Sequence, residues 1–315
     1  VPPDAAGSIV RPVHPTNPTV YLIARPSIDV EGMRGYLRDV GGESWLERRL
    51  GEARQGDAGP GSDTQTGTGT ETGSDTQTGS DAQTGSDAQT GSDAQVAVNG
   101  GELLVEFGGR ACYRSWEPGL NPNVSKVRTD QREYFANILR SAHGSVLEHA
   151  NYSFALRNVS RVFTHELVRH RAGSAFSQES LRYVRLADIG FRMPPALEPV
   201  REQVLSIVEQ LEEFQLSAAK TLGIDEEGVP FHVKKEITSA LRRLAPIGLS
   251  TDIIWTANAR TLRHVIEMRT AEGAEEELRL VFDGIAQIMQ AEAPGLFQDF
   301  VREDDGSWIP EYRKV

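Results

Sequence analysis

Apolar positions cluster into short runs along most of this chain, and one long stretch carries almost none. Thr19–Ala24 (TVYLIA) is a continuous apolar run and reads as a buried strand. Positions 31–36 and 43–50 look helical, 101–107 reads as a strand, and 108–113 reads as the turn into the next element. Helical spacing returns over 132–141, a loop follows at 143–149, and the alternation over 152–156 predicts a strand. Residues 160–171 read as a helix with Val159, Val162, Phe163, Glu166, Leu167 and His170 on one face. Further helices are expected over 198–222, 233–244, 256–270 and 275–292. Many helices and few strands predict an α+β fold: a helix-rich single domain, 1–315, with one small mixed sheet.

Apart from Pro60 and Glu71, the stretch over 57–95 is built from Gly, Ser, Thr, Asp, Gln and Ala, with a near-perfect Gly-Ser-Asp-Ala-Gln-Thr repeat starting at Gly79, Gly85 and Gly91. Without aliphatic or aromatic anchors it has no means of offsetting its ordering entropy, so a disordered insert is expected within the domain. Long surface insertions add little loop-closure cost. The same stretch changes the charge picture. The chain carries a net charge of −12, but seven acids fall within 57–95, where no Lys or Arg offsets them. The remainder is only mildly acidic, and an affinity for nucleic acid is not expected.

With 315 residues and 38% apolar content, the chain is long enough to bury a sizeable core. No apolar run approaches the roughly 18 residues of a membrane span, so no membrane association is expected. Val1-Pro2-Pro3-Asp4 lacks the order of a signal peptide. A single cysteine, Cys112, excludes an internal disulfide, and a reducing, cytoplasmic location is expected.

Candidate chemistry concentrates in two places. Arg169-His170-Arg171 is followed by Gln178-Glu179-Ser180-Leu181-Arg182-Tyr183, with Arg185 beyond. Guanidinium groups at this density beside hydroxyls suit a phosphate-bearing small molecule. Glu166 and His170 also sit on an apolar helix face, where ionisable groups are either paired with each other or aimed at a ligand. Near the C-terminus, Leu262, Val265 and Ile266 place Arg269 on a buried face, while Arg260 and His264 share a neighbouring one, with Asn258 just before them. A surface arginine lying along apolar side chains is the bland alternative.

A metal site is not expected. His165 and His170 diverge by about 140° around a helix, and neither a His-Glu-x-x-His nor a Cys/His zinc pattern occurs. Cys112 has no base beside it and reads as a buried apolar thiol. The Gly pairs 100–101 and 108–109 match no dinucleotide or phosphate loop, so a bound nucleotide would be held by arginines and loop amides.

Three segments, in order over about residues 105–300, resemble flavin-dependent thymidylate synthases. They are His143-Gly144-Ser145-Val146-Leu147-Glu148-His149, the Arg-His-Arg segment with its Ser180-Leu181-Arg182, and Trp255, Asn258, Arg260, His264 and Arg269. The resemblance implies an α+β homotetramer with active sites shared between subunits. It implies FAD contacts for His143, Ser145, Glu148, Arg169, His170, Arg171, Asn258, Arg260 and His264. It implies nucleotide contacts for Gln178, Glu179, Ser180, Leu181, Arg182 and Arg242, with Glu166 beside them and Arg269 facing the uracil. Ser180 and Arg269 would be the catalytic pair.

The implied reaction is reductive methylation at pyrimidine C5, with methylenetetrahydrofolate as carbon donor and NADPH as reductant. A flavin carries the redox chemistry, so a protein nucleophile is not required. Two departures bear on the substrate. Eight residues separate Arg171 from Ser180 where the family has seven, and Glu166 stands where the family often has Gln. An extra residue shifts groups by up to about 3.5 Å. dUMP is the first expectation and UMP the alternative, with a non-catalytic flavin- or nucleotide-binding relative as the third.

Overall fold

Alternation of buried and exposed side chains brings four strands into one sheet. In the computed structural model, residues 15–56, 99–182 and 190–315 are described. The strands β1 (Thr19–Ala24), β2 (Asn151–Ser160), β3 (Ser174–Gln178) and β4 (Ser250–Asn258) pair in the order β1-β2-β4-β3. Every strand pair is antiparallel, where a mixed sheet was expected. The repeat insert over 57–95, Tyr183 and Arg185 lie outside the described residues.

The sheet belongs to a unit comprising Val1–Asp29 and Asn99–Val315. One sheet face meets a core in which Phe154, Trp255 and Phe282 are fully buried; Trp255 lies 6.0 Å from Phe154 and 5.6 Å from Phe282 between ring centroids. The helices of this unit are α3 (Gly100–Tyr113), α4 (Gln131–Arg140), α5 (Arg161–Leu167), α6 (Arg201–Thr221), α7 (Phe231–Leu241), α8 (Ala259–Thr270) and α9 (Glu276–Glu292). Leu262, Val265 and Ile266 of α8 and Leu278, Phe282, Ile285 and Met289 of α9 supply one wall of the core at helical spacing. A C-terminal hairpin, β5 (Phe300–Arg302) with β6 (Trp308–Pro310), adds Phe300 and Trp308. The second unit, Val30–Val98, contains α1 (Val30–Val40) and α2 (Glu43–Gly56), with Leu37, Trp45 and Leu46 fully buried.

The α+β class is as expected, and the differences have local causes. The strand expected over 101–107 is the start of α3, and the turn expected over 108–113 is its end. Asn99 caps α3 by accepting from the Glu102 amide, and Glu106 pairs with Arg110 one turn on at 2.8 Å, fully buried. A polar i, i+4 ladder inside a short apolar run therefore selects helix over strand. The helix expected from 256 begins at Ala259, because 250–258 is the sheet's second central strand. Cys112 is exposed rather than buried, since the last turn of α3 runs past the packed face. Among the described residues no helix is long and apolar enough to cross a membrane, and no group of three His, Cys, Asp or Glu is placed to hold a metal.

Candidate active site

The Arg-His-Arg segment is set by a buried hydrogen-bond network at the start of α5. Ser160 caps this helix by accepting from the Phe163 amide at 3.1 Å, and Glu277 of α9 accepts from both the Ser160 amide, at 2.7 Å, and its hydroxyl. Burial pushes the Glu277 carboxyl above its usual range, while the bonds from Ser160 oppose that rise. The helix stops at Leu167, earlier than expected. Short-range bonds from His170 N–H to Leu167 O, at 3.0 Å, and from Arg171 N–H to Arg169 O, at 3.1 Å, tighten the chain into a turn. Gly173 then reverses it at φ +66°. A Cβ there would run into Asn258 and Thr261, so the close approach needs glycine as much as the dihedral does.

The turn delivers β3 to the sheet edge. Ser174 Oγ accepts from the Trp255 indole at 3.2 Å, and β3 pairs residue for residue with β4. The pairing continues past Gln178, with the Glu179 amide donating to Asp252 O at 3.0 Å. The eight-residue spacer is thus a tight turn followed by a regular strand.

At the other end of this assembly lies Arg269. Its Nη1 donates to Glu166 Oε2 at 2.6 Å and its Nε donates to His170 Nε2 at 2.8 Å. The side chain is 13% exposed, so its predicted burial on α8 is borne out. A guanidinium has no acceptor, so His170 Nε2 must carry a lone pair and the ring is neutral. Burial first, then the charges of Arg269, His264 and Arg169, press the imidazole down to about 4, against a smaller upward pull from Glu166. Glu166 and His170 satisfy the same arginine and do not bond each other as a helical pair would.

Beside this clamp is a cavity of about 640 Å³. Glu148, Arg169, His170, Arg171, Asn258, Arg260 and His264 all line it, which brings together seven of the nine residues expected around a flavin. Asn258 also caps α8 through a 2.8 Å bond from the Thr261 amide. Arg260 pairs with Glu148 at 2.6 Å. Arg263, missed by sequence reasoning, lines the cavity but is committed to Asp299 in a buried bidentate pair at 2.7 and 2.8 Å. Its neighbours Leu262, Val265 and Ile266 were the available signal. Of the other two expected residues, His143 lines a separate cavity of about 440 Å³ and meets the Tyr113 ring edge-on at 5.6 Å. Ser145 stands on an exposed position of the 3-10 turn Gly144–His149.

The nucleotide candidates gather around the end of β3. Gln178 donates to Thr164 Oγ1 at 3.2 Å, Ser180 Oγ accepts from the Arg182 amide at 3.3 Å, and Leu181 is buried. Arg182 lines a third cavity, of about 510 Å³, with His232, Lys235 and Arg243. Sequence reasoning also missed Arg161, the first residue of α5, because nothing in the periodicity separates it from a surface arginine. Its Nη2 donates to Glu179 O at 3.3 Å, and its Nε is buried without a partner among the described residues, as is the Nε of Arg182. Burial lowers the Arg161 guanidinium from its ordinary value, Glu179 opposes that, and Arg242 lowers it further. Buried donors with no acceptor are what an anion would complete.

Residues 96–295 match the family model described as thymidylate synthase complementing protein. The chain is 36% identical over 207 residues to the flavin-dependent thymidylate synthase of Mycolicibacterium gilvum, covering 64% of this chain and 80% of that one. It is 38% identical over 208 residues to that of Mycobacterium marinum, with the same coverage. The chain belongs to the flavin-dependent thymidylate synthase family. These are methyltransferase enzymes, and the match spans all of the elements that build the clamp and most of the cavity. A structure of thymidylate synthase X from Helicobacter pylori, with FAD and dUMP, aligns at a TM-score of 0.44 and 21% identity over 63% of this chain and 93% of that one.

Proposed function

We propose that this member of the flavin-dependent thymidylate synthases methylates C5 of a uridine monophosphate, dUMP in the first instance, with FAD, NADPH and methylenetetrahydrofolate. One observation carries the reading. Arg269 is clamped by Glu166 and His170; His170 also lines the guanidinium-lined cavity, and the helix that carries Glu166 begins at Arg161, whose Nε is buried without a partner among the described residues.

The donor set fits a flavin dinucleotide. Arg169, Arg171 and Arg260 supply cations for a pyrophosphate, Asn258 and His264 supply polar contacts, and the volume lies in the range of cofactor sites. Glu148 pairs with Arg260, while His143 and Ser145 belong to the same turn as Glu148 without lining this cavity. When bound, FAD supplies the hydride chemistry.

The chain's own residues bind and polarise the nucleotide. Arg161, Arg182 and Arg242 take the phosphate, and Gln178, Glu179, Ser180 and Leu181 frame the sugar and base. Arg269 keeps N–H groups beyond those given to Glu166 and His170. Donated to a uracil carbonyl oxygen, they stabilise the negative charge that develops as C5 attacks the carbon donor. Neutral His170 holds Arg269 in place through Nε2 and is not the imidazolium that a general acid at pH 7 would need. Glu166, in the position of a family Gln, is neutralised by Arg269 and so does not repel the phosphate.

UMP is the second reading, favoured by the eight-residue spacer that sets the approach of Ser180 to the sugar. Assembly as a homotetramer is supported by exposed apolar side chains along α6 and α7 and just beyond, among them Ile207, Phe214, Phe231 and Ile247. A cytoplasmic location accords with this chemistry.

The test is anaerobic reduction of the purified, flavin-loaded protein by NADPH, followed by addition of methylenetetrahydrofolate and nucleotide. The wild type should bleach and then turn over; Arg269→Ala should bleach but form no methylated product. A colourless protein that retains no flavin would favour a non-catalytic relative.

A further inference from the structure

The cavity has one wall that the family match does not reach. Residues 296–315 lie beyond the matched span, yet Pro310, Tyr312, Arg313 and Val315 line the same cavity as Arg169, Arg171 and Arg260. This segment is a fixed strap. The Tyr312 amide donates to Asp299 Oδ2 at 3.2 Å, and the Glu311 amide donates to Asp299 O at 3.0 Å. Arg263 donates to Tyr312 O and Arg260 to Val315 O, both at 3.3 Å. Tyr312 and Val315 also pack against the main core. The anchor is therefore the buried Arg263–Asp299 pair, and what the strap presents to the cavity is Arg313.

Arg313 is 61% exposed and pairs with Glu267 at 3.2 Å, while Arg260 pairs with Glu148 across the same cavity. Arg169 and Arg171 have no ion pair among the described residues. With Arg263 neutralised by Asp299, these four guanidinium groups face two carboxylate side chains, an excess of positive side-chain charge that suits an anion such as a pyrophosphate diester. Resting on the flavin reading above, we infer that the strap is part of the cofactor site and that Arg313 exchanges Glu267 for the pyrophosphate of FAD. The pyrophosphate then depends on Arg313, outside the family segments, as well as on Arg169, Arg171 and Arg260 within them. NADPH also carries a pyrophosphate, and the test separates the two.

The experiment measures dissociation constants of FAD, FMN and NADP⁺ for the full-length apoprotein and for Arg313→Ala and Arg313→Lys, by flavin fluorescence and calorimetry. Arg313→Ala should weaken FAD by about tenfold or more, as loss of a charge-assisted contact requires. FMN, which lacks the pyrophosphate, should change by less than about twofold, and Arg313→Lys should recover part of the loss. Because the side chain is exposed, the melting temperature should stay within a few degrees of the wild type. FAD affinity unchanged in Arg313→Ala overturns the inference, as does a loss confined to NADP⁺ or equal for FAD and FMN. A wild type that binds no FAD at all overturns the underlying reading, and the inference with it.

Discussion

Replacing Arg269 with Gln tests the clamp through a group that reports on it directly. His170 titrates at about 4 against an ordinary value of 6.5, a gap of about 2.5 pH units, and burial is the largest cause, with Arg269 second. Because burial remains in the variant, recovery should be less than half of the gap. The His170 midpoint should therefore rise by about one pH unit, to about 5. Glu166→Gln should move it the other way, since the Glu166 carboxylate is the one neighbour that pulls it upward. The assay is an NMR titration of the imidazole C2 signals, with the His170 signal assigned by its absence in His170→Asn. A wild-type midpoint near 6.5, or one that Arg269→Gln leaves unmoved, would refute the clamp. The linkage sign follows. Between about pH 6.5 and 4 the unfolded chain takes up a proton that native His170 refuses, so unfolding is favoured as pH falls through that window. The stability tied to a neutral His170 is complete above pH 6.5.

Three further outcomes are expected. Arg263→Ala leaves Asp299 as a buried unpaired charge and should cost about 3–5 kcal/mol, seen by thermal melting as a drop of about 10 °C. Gly173→Ala forces a side chain into Asn258 and Thr261 at positive φ, so it should lose at least about 1–3 kcal/mol and release protected β3 amides in hydrogen exchange. Arg161→Ala should raise the nucleotide KM about tenfold or more, as loss of a charged phosphate contact requires, while NADPH-driven flavin bleaching continues at the wild-type rate; unchanged KM would remove Arg161 from the phosphate site.

Much of the site was legible because charge on an apolar face is informative. Arg269 was found from Leu262, Val265 and Ile266 alone, and Glu166 and His170 from Phe163 and Leu167. Their meeting was hidden, because it depends on α5 stopping at Leu167 and on a tight turn that Gly173 completes. Arg161 and Arg313 were invisible for a different reason: each gains its setting from residues far along the chain, and neither interrupts an apolar pattern. Two of the fold's misreadings share one origin. Short apolar runs at 101–107 and 250–258 have too few positions to separate periods of 2 and 3.6, and tertiary pairing decided both.

The most direct measurement is the mass of the nucleotide product. The flavin-loaded enzyme is incubated with NADPH and methylenetetrahydrofolate, and with dUMP or UMP in separate reactions. The account predicts a gain of one methyl group at C5 of dUMP, with NADPH consumed in step. A comparable product from UMP would move the substrate assignment to the ribonucleotide. No methylated product from either, with flavin bound and reducible, would contradict the account.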